Sequence, residues 1–153
     1  MEEAIELDEE KVRIYNNIFG ENTAKCQDLC FMNPSEIRDA DIIVGRILLN
    51  DFSIVGQKGG EDYHSLNKHM INLVYEKKPK AIVLETAGLG INSMRKICDC
   101  YVNRGYHIYY KRLAGQSYSG LPFYDVRIYV VGIRKDLDSR EEHMYIKILR
   151  LNL

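Results

Sequence analysis

Three acids stand at or near the ends of short apolar runs: Glu6 after Ala4-Ile5, Asp28 after the run that starts at Ala24, and Glu85 after Ala81-Ile82-Val83-Leu84. A carboxylate at the carboxyl end of a buried strand can accept from the hydroxyl or amino groups of a nucleotide-like ligand, since open α/β sheets bind ligands in the crevice there. The same acids would also suit solvated strand ends. A fourth position, the turn at residues 46 to 51, follows the apolar run Asp41-Ile42-Ile43-Val44 within GRILLNDFS. Its Leu48, Leu49 and Asn50 offer no nucleophile, acid or metal ligand. Two adjacent leucines in such a turn are expected to pack inward or to meet a partner.

The four cysteines give no better chemistry. Cys26 and Cys30 are spaced Cys-x3-Cys, and Cys98 and Cys100 Cys-x-Cys, whereas zinc sites use paired CxxC-type spacings. They read as buried, reduced thiols, and no metal site is expected. There are 11 tyrosines and no tryptophan. Tyrosine-rich stretches such as Tyr106 to Arg112, with Tyr109, Tyr110 and Arg112, and the loop around Tyr118 offer anchors for a partner surface; taken singly, they also read as half-buried strand residues.

The elements that would position these groups alternate. Ala4 to Leu7 reads as a strand, Asp8 as a cap, and Glu9 to Phe19 as a helix, with Val12, Ile14, Tyr15, Ile18 and Phe19 at helical spacing and Gly20 as the stop. A second strand is expected from Ala24, ending at Asp28, and a third over Asp41 to Gly45. A helix carrying Leu66, Met70, Leu73 and Val74 ends at Lys77-Lys78-Pro79; a strand over Lys80 to Glu85, a helix over Ile91 to Val102, and a strand over Tyr106 to Lys111 follow. Val126 to Ile133 is another apolar strand, and the alternation of Met144, Ile146 and Ile148 suggests a last one near 143–151. Strands alternating with helices predict an α/β fold with a mainly parallel sheet.

The 153 residues fit a single domain spanning 1–153, large enough for one core. A formal net charge of −1 and a pI near 6.4 exclude a global field that would drive the chain onto nucleic acid or an anionic membrane. The apolar runs are strand-sized and the first residues are acidic, so a cytoplasmic location and no membrane association are expected.

The runs ELDEEKVRIYNNIFGENT, DIIVGRILLNDFSIVGQKGGED, EKKPKAIVLETAGLG and SGLPFYDVRIYVVGIRKDL, in this order and spacing, resemble the S-adenosylmethionine-dependent C5-cytosine DNA methyltransferases over about residues 4–137. The resemblance implies a Rossmann-like methyltransferase sheet. The family's first strand and its glycine-rich turn have no match; the place of that strand would be taken by the C-terminal run near 143–151, by direct pairing of its neighbours, or by a strand from another chain, and the first of these is favoured. In the resemblance Glu6 corresponds to the ribose-binding acid, Asp28 to the acid that receives the adenine amino group, Glu85 to the acid at the cytosine N3 edge, and Arg127 to the second arginine of a Gln-x-Arg-x-Arg block whose other positions read Phe123 and Asp125. Leu48 and Leu49 fall on the Pro-Cys pair, whose thiolate attacks C6 of a flipped cytosine. No target-recognition domain is expected.

With these substitutions the resemblance implies that the chain is not itself an enzyme and that it takes no cofactor, the S-adenosylmethionine site being vestigial. It implies a protein-binding module in place of a sequence-specific DNA binder. One concrete form is a phage or mobile-element product that blocks a host restriction or CRISPR nuclease; another is a non-catalytic or regulatory subunit of a split methyltransferase. The partner is expected to be a protein, and a homodimer stays open.

Overall fold

The computed structural model describes residues 3–46, 66–87, 91–115 and 126–138. It begins with β1 (Ala4–Glu6), α1 (Glu9–Phe19) and β2 (Ala24–Cys26), a strand–helix–strand unit whose strands pair parallel with Glu6 opposite Cys26. Local chemistry sets the bounds of α1. The Asp8 carboxylate accepts from the N–H groups of Glu10 and Lys11, and Gly20, at φ 109°, provides the positive φ at which the helix stops. Two single turns of 3-10 helix, Leu29–Phe31 and Pro34–Glu36, lead to β3 (Ile42–Arg46).

The larger sheet has the order β3-β4-β6-β5 and is built from β3, β4 (Ala81–Ala87), β5 (Tyr106–Ala114) and β6 (Val126–Arg134). β3 pairs parallel with β4, while β6 lies antiparallel to both β4 and β5. The sheet is therefore mixed: α/β as expected, with parallel pairing among the described residues between β1 and β2 and between β3 and β4. Helices α2 (Leu66–Lys77) and α3 (Ile91–Val102) connect its parallel-running members.

Alternation along the strands decides where the core forms. Ile82 and Leu84 of β4 and Ile128 and Val130 of β6 point to one face, where they bury against Val74 of α2 and Ile97 and Tyr101 of α3, with Ile43 and Met70 packed alongside. Each such aliphatic side chain, fully buried, contributes roughly 1.5–3 kcal/mol. The other face carries Ile42 and Val44, in register with Ala81 and Val83, and these two are 56% and 72% exposed. Among the described residues no helix contributes to a core on that face.

Polar ties hold the lower rim. The Tyr106 hydroxyl donates to the Pro79 carbonyl at 2.7 Å, and Arg134 Nη1 donates to the Lys78 carbonyl at 2.6 Å. The buried Asp138 carboxylate receives the Tyr109 hydroxyl at 2.9 Å and lies 3.2 Å from His107 Nδ1, fastening the turn after β6 to β5. Glu3 pairs with Lys25 and accepts from the Arg38 N–H at 2.9 Å. This brings the start of β1 beside the segment that enters β3.

Several expectations are corrected. β2 ends at Cys26 and not at Asp28, because the Asp28 side chain accepts from the Cys30 N–H and turns the backbone into the 3-10 helix. Glu85 is not the last residue of its strand, since β4 continues to Ala87 in register with Arg127. The thiols are free but not buried: Cys26 is exposed, and Cys30, Cys98 and Cys100 are half-buried. The expected strand near 143–151 lies outside the described residues.

Gly132 stands between Ile82 and Ile108 on the core face of β6, where an added Cβ would come within 2.6 Å of one and 2.8 Å of the other. Gly132→Ala is expected to lower stability by about 1–3 kcal/mol through this overpacking. Urea unfolding followed by circular dichroism measures it, and an unchanged midpoint would mean that the three strands do not sit this close.

Candidate functional site

Two groups of side chains have the geometry of a site. The first lies at the carboxyl ends of β1 and β2. Glu6 Oε1 accepts from the Leu7 and Asp8 N–H groups at 2.9 and 3.2 Å, and its carbonyl accepts from the Gln27 N–H at 3.1 Å. Asp28 Oδ1 accepts from the Cys30 N–H at 2.8 Å. Each carboxylate is thus oriented by backbone through one oxygen, and both are half-buried. The end of β1 thereby presents one acid and the turn two residues beyond β2 presents the other, an arrangement suited to hydroxyl and amino donors.

The second group lies on the face of the large sheet opposite the core. Arg127 Nε donates to Glu85 Oε1 at 3.0 Å, with both side chains about one-third exposed. Arg46 stands opposite Glu85 on β3, and Tyr129 opposite it on β6. A carboxylate flanked by guanidinium positions offers acceptors to an amino or protonated ring nitrogen and donors to a carbonyl or phosphate. An ion pair this exposed contributes on the order of 1 kcal/mol or less to stability, so folding alone does not require it.

The sequence pointed to Glu85 and Arg127 separately, and the structure joins them. It missed Arg46, whose place beside Glu85 follows from the parallel register of β3 and β4. It also missed Asp138, buried by contacts to residues 29 and 31 positions away. Tyr109 is corrected: it is buried, with its hydroxyl bound to Asp138, and offers no partner surface. Tyr110 and Arg112 are exposed on β5. Leu48, Leu49 and Tyr118 lie outside the described residues.

The family description "C-5 cytosine-specific DNA methylase" matches residues 2–150. The chain belongs to that family. The match runs beyond residue 137, where the resemblance ended. The type II methyltransferase M.BsuFI of Bacillus subtilis is 28% identical over 139 residues, covering 86% of this chain and 33% of the relative. The orphan methyltransferase M.SPRI of Bacillus phage SPR is 28% identical over 122 residues, covering 75% and 28%. The S. pombe Dnmt2 methyltransferase structure shares the fold at 15% identity and a TM-score of 0.69, covering all of this chain and 49% of that one. The chain therefore spans a third or less of the length of these two curated relatives.

Two expectations fall here. The chain is a member of a methylating enzyme family whose curated relatives are named as methyltransferases, which overturns the expectation that it is not an enzyme. The expectation of no cofactor falls on the same ground, and the geometry agrees: the acids that the resemblance assigns to ribose and adenine, Glu6 and Asp28, are held at adjacent strand ends, each with a second oxygen that takes no described hydrogen bond. These residues fit the adenosine end of S-adenosylmethionine. No described helix is long and apolar enough to cross a membrane.

Two of the thiols differ in burial. Burial, and then the neighbouring Asp99, push the Cys98 thiol up from its ordinary range, which leaves less thiolate at neutral pH. Cys26 is exposed and donates only to the Leu7 carbonyl, at 3.4 Å. Timed alkylation with iodoacetamide at pH 7.5, read by peptide mass spectrometry, should label Cys26 first and Cys98 much later. Equal rates would contradict the burial of α3 against the sheet.

Proposed function

We propose that this chain is one part of an S-adenosylmethionine-dependent C5-cytosine DNA methyltransferase assembled from more than one polypeptide. The observation that carries the reading is the joined Glu85–Arg127 pair, at 3.0 Å on an open sheet face where stability does not call for it. Glu6 would hold the ribose hydroxyls and Asp28 the adenine amino group, while Glu85, positioned by Arg127, would meet the N3 edge of the cytosine. S-adenosylmethionine supplies the methyl group. A partner would complete the methionine end of the cofactor site and, since Leu48 and Leu49 fall on the Pro-Cys positions, would also bring the thiol.

Calorimetric titration with S-adenosylmethionine tests the first step. The chain alone should bind weakly, with a dissociation constant on the order of 0.1–1 mM for half a site, and Glu6→Ala should abolish the heat. No heat at millimolar cofactor, from the chain alone or with a co-purified partner, would remove the reading.

A second reading is favoured by the Leu48-Leu49 pair and by the phage relative M.SPRI: the chain as a mobile-element protein that binds and blocks a host restriction or CRISPR nuclease. Expression in a host carrying such a system should raise the plating efficiency of a targeted phage by orders of magnitude. Plating that stays unchanged across restriction and CRISPR hosts counts against it.

A further inference from the structure

Register sets four side chains in one line across the open face of the large sheet. Ile42, Val44 and Arg46 of β3 are exposed while Ile43 and Gly45 between them are half-buried, so alternation turns Arg46 to the face opposite the core. Arg46 stands opposite Glu85, Glu85 opposite Tyr129, and Tyr129 opposite Lys111 of β5. Neighbouring strands lie about 4.8 Å apart, so the line crosses all four strands in roughly 14 Å.

The line is not balanced within itself. Arg127 neutralises Glu85, which leaves Arg46 and Lys111, one at each end, with no side-chain partner among the described residues. A chain of formal net charge −1 thus carries two uncompensated cations on one open face. Edge strands commonly carry cations as a guard against pairing, a role that Arg112 on the other face of β5 meets equally well. That role does not account for the alignment of Arg46 and Lys111 with what stands between them. Glu85 has one oxygen on Arg127 and a second that takes no described hydrogen bond, available to the amino group of a base. Beside it Tyr129, 37% exposed, offers the face of its ring.

An acceptor and an aromatic ring between two cations suit a nucleic-acid strand, whose bases stack on rings while its phosphates meet the flanking charges. A sheet face roughly 14 Å across does not enter a major groove about 12 Å wide, which admits a helix or a two-stranded ribbon, so the strand that fits here is unpaired. An acidic protein segment would satisfy the cations but would set its carboxylates beside Glu85.

We propose that Arg46, Glu85, Tyr129 and Lys111 form a platform for an unpaired stretch of DNA, in which Arg46 and Lys111 hold phosphates on either side of a base that lies against Tyr129 with its amino edge on Glu85. This deepens the methyltransferase reading and rests on it for the identity of that base as cytosine; the phosphate contacts are argued from register and charge. Arg46 and Lys111 bind and place the strand and take no part in the transfer.

The test is fluorescence anisotropy of a short labelled oligodeoxycytidine with the full chain over a range of salt concentrations. The wild-type chain should bind at low salt. Arg46→Gln and Lys111→Gln should each make the log–log dependence of affinity on salt shallower by about 0.7, the value of one phosphate contact on a single strand, with unchanged circular dichroism, and Arg46→Lys should keep the slope. Tyr129→Ala should weaken binding about tenfold, and Tyr129→Phe should preserve it. Arg112→Gln, which removes the same charge from the other face of β5, should leave the slope as it was. No binding at low salt overturns the proposal, as do slopes that Arg46→Gln and Lys111→Gln leave unchanged. An equal fall with Arg112→Gln would reduce the effect to net charge and overturn it too. Loss of S-adenosylmethionine heat in Arg46→Gln with an unchanged slope would assign Arg46 to the cofactor's carboxylate and likewise overturn it. The expected slopes without cofactor heat in any protein would keep the platform and remove the methyltransferase reading.

Discussion

The arrangement depends on β6 lying antiparallel between β4 and β5. Its ladders run through seven residue pairs with β4 and nine with β5, so this one strand fixes both the core and the site. On one face it brings Ile128 and Val130 beside Leu84 and under α2 and α3; on the other it delivers Arg127 to Glu85. Because side chains alternate with a period of two, a one-residue slip of β6 would exchange these roles and bury the arginine. Gly132 marks the register, since only a residue without a Cβ fits between Ile82 and Ile108.

The core owes little to the first 40 residues. Every residue of the main cluster belongs to α2, β4, α3, β5 or β6, whereas α1, β1 and β2 are held by capping, one short ladder and polar ties such as Asn16 to Ala24 at 2.7 and 3.1 Å. A three-residue parallel ladder with one uncovered helix buries little apolar area, and isolated two-stranded units are marginal in water. The acids Glu6 and Asp28 thus sit on the less stable part of the molecule. Ligand-binding elements are commonly drawn from that end of the stability range.

Elements specified by local chemistry were legible in the sequence. The bounds of α1 followed from Asp8 and Gly20 and agree residue for residue, as does α3 over Ile91 to Val102. Strand order was not legible, because nothing near Val126–Arg134 states that it enters between β4 and β5. The family resemblance supplied the positions of Glu85 and Arg127 but not their contact, and register was needed to add Arg46. The burial of Tyr109 was not legible either: its hydroxyl donates to Asp138, a partner that no periodicity reveals. The expectation of no enzyme and no cofactor rests on motifs that a chain spanning only part of its relatives' length does not show, while Glu6 and Asp28 are held by backbone donors.

An unpaired edge and an uncovered face have a common energetic logic. Backbone N–H and C=O groups on a free edge stay satisfied by water, so an open edge costs little while it is wet. Ile42 and Val44, however, forgo their burial, roughly 1.5–3 kcal/mol each if fully covered. A partner that dried the edge without offering a ladder would strand those backbone groups, at about 1–3 kcal/mol per unsatisfied group, cancelling the apolar gain. The same logic applies to the Glu85–Arg127 pair: anything that dried its face would lower the local dielectric, and an ion pair of little worth while wet would become stronger and more directional.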